Sequence, residues 1–174
     1  MKVSLEQQGD DLCFFLKPEE DDIEHLDRTR IGLAKNEARI NLGGLEIEDI
    51  HPDLIGLTTL LMCHQFIGRE LHLPKRVSER FHEVANSVLS KYKIVSETDS
   101  SLQSNAAPVR SRPGLAFSGG ADSTAALAVM PGNTVPVFMN RPMRENSMYD
   151  SDAPIKNCEL LRQIGYDVRI IGSD

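Results

Sequence analysis

Residues 115–126 read Leu-Ala-Phe-Ser-Gly-Gly-Ala-Asp-Ser-Thr-Ala-Ala: an apolar strand, a glycine turn, and a small-residue helix beginning near Asp122. A strand that runs through glycines into a helix start presents backbone N–H groups that have no intrahelical acceptor, at the positive end of the helix dipole. Such a turn suits an anion, above all a phosphate. Gly119 and Gly120 permit positive φ and close approach of the backbone to a ligand. Ser118, Ser123 and Thr124 add hydroxyl donors, and Asp122 adds an acceptor for a metal ion or its water shell. The competing reading is a serine-glycine turn that only caps a helix. Two glycines, two flanking serines and an acid behind so apolar a strand favour the phosphate cradle.

Spacing narrows the class of cradle. The Gly-x-x-x-x-Gly-Lys-Ser/Thr pattern is missing and no lysine stands beside the turn. The Gly-x-Gly-x-x-Gly spacing of dinucleotide folds is missing too, and Ala116 occupies the place where a serine-hydrolase elbow needs glycine. What remains is Ser118-Gly119-Gly120-x-Asp122-Ser123 after a strand. This resembles the pyrophosphate loop (PP-loop) of the N-type ATP pyrophosphatases, a superfamily that includes argininosuccinate, GMP, NAD and asparagine synthetases and the tRNA thiolation and lysidine enzymes. The resemblance covers about a third of the chain, residues 113–174, and its diagnostic part is one loop.

The resemblance implies a parallel α/β sheet of the adenine nucleotide alpha-hydrolase-like (HUP, Rossmann-like) type, with ATP and Mg²⁺ bound. It implies that Ser118, Gly119, Gly120, Ser123 and Thr124 hold pyrophosphate and that Asp122, the one catalytic candidate, positions the metal. Main chain around Ala116, Phe117 and Ser118 and from Phe138 to Asn140 would frame ribose and adenine. The implied reaction is adenylation of a carbonyl, amide or carboxylate oxygen of a small molecule with release of pyrophosphate, followed by displacement of AMP by a nitrogen or sulfur nucleophile. Two other readings stand beside it: a non-catalytic adenine-nucleotide-binding or interaction module, and a reductase of adenylyl-sulfates. The reductase relatives depend on a cysteine motif near the C-terminus that this sequence lacks.

Downstream, residues 134–139 predict a second strand, with regular pairing expected only after Pro136 because proline removes a ladder donor. Met130-Pro131-Gly132 ends the first helix. Residues 154–165 predict a second helix with Ile155, Cys158, Leu161 and Ile164 on its apolar face and Gly165 as its stop. Residues 166–171 predict a third strand. Strand–helix–strand–helix–strand makes a parallel sheet with right-handed crossovers, and ligands collect at the carboxyl ends of its strands, where Ser118, Asn140 and Ser173 would lie. Family members continue with further strands, so residues 115–117 are expected to form an edge covered by a second copy or by further C-terminal sequence.

The 174 residues carry a net charge of −7, with 14 basic against 19 acidic residues in 1–112 and 5 against 7 in 113–174. No basic field of the kind that grips nucleic acid stands out, although Arg141 and Arg144 could form a local patch. A small-molecule substrate is favoured. No apolar run is long enough to span a membrane, the start is too polar for a secretory signal, and three scattered cysteines suggest neither a disulfide scaffold nor zinc. A cytoplasmic protein is expected.

Residues 1–95 read as a mixed α/β module and 96–112, polar and serine-rich, as a linker or surface loop. A hairpin is expected to turn at Gly9-Asp10, then a break or helix start over Lys17–Asp22, a second hairpin pairing 30–34 with 38–42, and a short strand at 44–48 after a Gly43-Gly44 turn. His51-Pro52-Asp53 opens a helix that fades near Gly68, with Leu54, Leu57, Leu60 and Leu61 on one face. Residues 70–74 suggest a strand. Ser78 caps a helix to about Tyr92 that buries Phe81, Val84, Ala85, Val88 and Leu89. Cys63 and His64 fall on different helix faces, and His72 and His82 lie on different elements, so neither pair reads as a site.

Overall fold

The computed structural model describes residues 1–22, 33, 35–103, 110–141 and 152–172. The chain is mixed α/β and divides into two compact units, Met1–Asn105 and Ala106–Asp174. Among the described residues no helix is long and apolar enough to cross a membrane.

In the first unit, β1 (Lys2–Gln8) and β2 (Asp11–Lys17) form the expected hairpin, turning at Gly9-Asp10 with Gly9 at φ +62°. β3 (Glu37–Asn41) runs antiparallel to β2; of the partner expected for it, 30–32 and 34 lie outside the described residues. The strand expected at 44–48 is instead a turn and a short 3₁₀ helix, Ile47–Asp49. One local and one distant hydrogen bond explain the difference: the Asp49 carboxylate accepts from the Glu46 N–H at 3.3 Å, and the Ile47 N–H donates to Gln7 Oε1 on β1 at 2.8 Å. Lys17–Asp22 is a break with no helix. Asp22, its side chain 2% exposed, accepts from the N–H groups of Glu19 and Gly68 at 2.8 and 2.9 Å and pairs with the Met1 amine at 2.8 Å.

Helix α1 (Pro52–Cys63) ends earlier than Gly68, and of its expected leucine face only Leu60, half-buried, packs against the core. Leu54, Leu57 and Leu61 are exposed, whereas Ile55, Gly56, Thr59 and Cys63 are buried. The helix is apolar nearly all round, so its leucines do not fix the phase. Thr59 tolerates burial because its hydroxyl donates to the Ile55 carbonyl at 2.8 Å. β4 (Glu70–His72) follows. β5 (Val77–Ser78) leads into α2 (Glu79–Val88), where Ser78 Oγ accepts the Phe81 N–H at 3.0 Å as the expected cap. Of the face assigned to α2, Ala85 is buried and Phe81 and Leu89 half-buried, while Val84 and Val88 are exposed beside a groove between α1 and α2. β6 (Lys93–Val95) completes a five-stranded sheet of order β3-β2-β1-β4-β6. The stretch from 96 begins with structure rather than a loop: β7 (Thr98–Asp99) pairs in parallel with β5.

The second unit holds a parallel sheet of order β10-β9-β8, made of β8 (Gly114–Ala116), β9 (Val135–Asn140) and β10 (Arg169–Gly172). Pairing to β8 starts at Val135, before Pro136, and not after it. Val135 N–H donates to the Pro113 carbonyl at 2.8 Å. Alternation then turns the missing donor of Pro136 toward β10, whose pairing begins one residue later at Val137. Helices α3 (Ala121–Val129) and α4 (Asp152–Gln163) connect the strands. Phe117, Leu127, Phe138, Cys158 and Val168 form the core, with Ile155 and Leu161 against it. Ile164 lies past the end of α4 and is exposed, while Gly165 at φ +100° stops the helix as expected. At the amino ends of the strands, Arg112 donates to Asp167 at 2.7 Å and to the Asn133 carbonyl at 2.9 Å. The opposite edge of the sheet is left to the glycine turn.

Candidate functional site

Parallel pairing brings the carboxyl ends of β8, β9 and β10 to one edge, so the 117–120 turn and Asn140 share that edge; Ser173 and Arg144 lie outside the described residues. The turn starts from a fixed base. Phe117 is buried and its N–H donates to the Val137 carbonyl at 2.8 Å. Gly119 then takes φ +77°, a left-handed conformation that a side chain resists, and Gly120 at φ −88° opens α3. Helical hydrogen bonding begins with Thr124 N–H to the Gly120 carbonyl at 3.1 Å. The amides of Ala121, Asp122 and Ser123, in the first turn, have no acceptor within the helix.

Elsewhere a side chain fills this role: His51 Nδ1 accepts from the Asp53 N–H in α1 and Ser78 from the Phe81 N–H in α2. At α3 the N-cap is Gly120, which has no side chain to cap the helix. Donors gather beside it instead. Ser118 Oγ lies 3.2 Å from Ser123 Oγ and 3.4 Å from the Gly120 nitrogen, and Ser118 is exposed. Ser123 Oγ donates to the Gly120 carbonyl at 3.1 Å. Thr124 spends its hydroxyl on that same carbonyl at 2.9 Å, so its proton faces the helix backbone. Asp122, exposed in the first turn, suits the helix dipole whether or not it also holds a metal.

Phe117 and Phe138 send their side chains into the core, leaving main chain alone to face a ligand; Ala116 is exposed and Asn140 half-buried. Cys158 is fully buried, and that burial pushes its thiol pKa up, with Arg162 opposing less strongly. It packs in the core of the second unit. Among the described residues no group of three His, Cys, Asp or Glu side chains is arranged to hold a metal ion.

Two residues touching the turn carry no signal in the motif. Pro154, buried in the first turn of α4, lies so close to Gly119 that a Cβ there would sit 2.8 Å from Pro154 Cα. Asn157, one turn on, donates from Nδ2 to the Gly119 carbonyl at 2.7 Å. A polar residue on an amphipathic helix reads as solvent-facing, and only the packing of α4 on the turn reveals the contact.

Comparison with protein-family models, with curated proteins and with solved structures returned no match to this chain.

Proposed function

We propose that the turn from Phe117 to Asp122 binds the phosphate tail of ATP, and that the chain belongs among the adenylating enzymes of the N-type ATP pyrophosphatase kind, its second unit being a HUP-type nucleotide fold. The observation that carries this reading is the start of α3: first-turn amides behind a glycine N-cap and a positive-φ glycine, beside the paired hydroxyls of Ser118 and Ser123. These donors match an anion, and Asp122 is the acid that the first turn of α3 itself carries.

Mg²⁺ fits on the same terms, since it needs few protein carboxylates when phosphate oxygens complete its shell. Asp122 would hold the ion or its bound water, and a bound ion would supply positive charge to a leaving pyrophosphate. Oriented amides act on that same charge without reorganising. The α-phosphate, outside the turn, is then open to a carbonyl, amide or carboxylate oxygen of a small molecule, and AMP to later displacement by a nitrogen or sulfur nucleophile.

The test is product analysis with ATP labelled in its α-phosphate, across amide, carboxylate and nucleobase substrates. AMP with pyrophosphate is the expected pair; ADP with phosphate would overturn the reaction class. ATP binding that is lost in Asp122→Ala, with no turnover of any substrate, would favour the non-catalytic nucleotide-binding module.

A further inference from the structure

We infer that Asn157 is a positioning residue that sets which face of the Gly119–Gly120 peptide meets the phosphate, an inference that rests on the phosphate reading above. The need for such a residue comes from the two glycines. With no Cβ on either side, the peptide plane between them meets little steric resistance to turning over, and the two orientations are chemically opposite. In one, the Gly120 N–H faces the ligand; in the other, the Gly119 carbonyl does, and its oxygen repels an anion. The motif supplies the freedom to enter the turn but does not choose between the two.

α4 makes the choice. The Gly119 carbonyl accepts from Asn157 Nδ2 at 2.7 Å. A trans peptide holds C=O and N–H on opposite sides. Fixing the carbonyl toward α4 therefore turns the Gly120 N–H away from it, to the side where it donates a long hydrogen bond of 3.4 Å to Ser118 Oγ, itself 3.2 Å from Ser123 Oγ. Amide and hydroxyls are thereby gathered on one side of the turn. Only the amide end of the carboxamide can donate to a carbonyl, so the assignment of Nδ2 is chemically determined. Pro154, three residues before Asn157 and on the same helix face, closes off the space behind Gly119. Asn157 is half-buried at this contact.

The experiment uses the ¹⁵N-labelled full chain with Mg²⁺ and inorganic pyrophosphate as the probe. Asn157→Ala should weaken pyrophosphate binding about 10-fold, the value of one well-placed hydrogen bond. It should also displace the Gly120 amide resonance of the free protein while those of core Phe138 and Val168 stay in place. A variant that binds as tightly as the wild type, with Gly120 unmoved, would overturn the inference and leave the phosphate site standing. A wild-type protein that ignores pyrophosphate would remove the phosphate reading and the inference together. Should the variant fail to fold, the wild type alone decides: the Asn157 carboxamide protons should exchange slowly with solvent, and free exchange would overturn the assignment.

Discussion

Replacing Gly119 by alanine tests the geometry of the turn without touching any functional atom. Two costs add. Alanine at φ +77° sits in the left-handed region, at about 1 kcal/mol. Its new Cβ would stand 2.8 Å from Pro154 Cα and 2.9 Å from Pro154 Cβ, and these atoms belong to the first turn of α4 and cannot swing aside as a flexible side chain could. Overpacking of that kind costs about 1–3 kcal/mol, for a total of about 2–4 kcal/mol borne by the second unit. Gly120→Ala is the control: φ is −88° and the nearest atom to its Cβ is Ser118 Oγ at 3.5 Å, so its cost should stay within about 1 kcal/mol. Three buried free cysteines make the assay specific to each unit, Cys158 reporting on the second and Cys13 and Cys63 on the first. Thiol labelling under native conditions, read by mass spectrometry, follows the population of the opened form when reclosing is fast. At 1.4 kcal/mol per decade, Gly119→Ala should speed Cys158 labelling about 30- to 1,000-fold and leave Cys13 and Cys63 unchanged. Equal Cys158 rates in Gly119→Ala and wild type would refute the left-handed, tightly backed turn.

The same labelling checks the buried face of α1: Ile55→Ala should cost about 2–4 kcal/mol and expose Cys13 faster, whereas Leu61→Ala, at a position 71% exposed, should cost no more than about 0.5 kcal/mol; the reverse ranking would restore the leucine face as core. Asp167 is held below the usual carboxylate range first by its hydrogen bond from Arg112, with burial pulling the other way and Arg169 adding to the depression. Its contribution is therefore present above the unfolded value, about 3.9, and fades as pH falls through the lower folded value. Urea midpoints should show Asp167→Asn less stable than wild type at pH 6 with the gap closing in acid, and a gap independent of pH would contradict the pairing.

How much of this was legible depends on where the physics is local. The strand, turn and helix around Gly119 could be read because positive φ, first-turn amides and the Pro131-Gly132 stop are properties of neighbouring residues. The hairpin at Gly9-Asp10 and the Ser78 cap are legible for the same reason. Tertiary choices were not. On α1, four leucines suggested a face, yet the buried row Ile55, Thr59, Cys63 contains a threonine whose hydroxyl is satisfied inside the helix. Asp22 reads as the end of a break or helix start, and the partners that bury it, Gly68 and Met1, are far away in sequence. Asn157 carries no local sign either, because its acceptor lies 38 residues upstream.

Titration of the ¹⁵N-labelled full chain with Mg²⁺-ATP bears most directly on the phosphate cradle. The amides of Gly119, Gly120 and Ser123 should shift saturably with nucleotide, and pyrophosphate should compete for the same shifts. If those three resonances hold still in a folded sample while ATP is raised to saturation, the turn does not bind the phosphate tail.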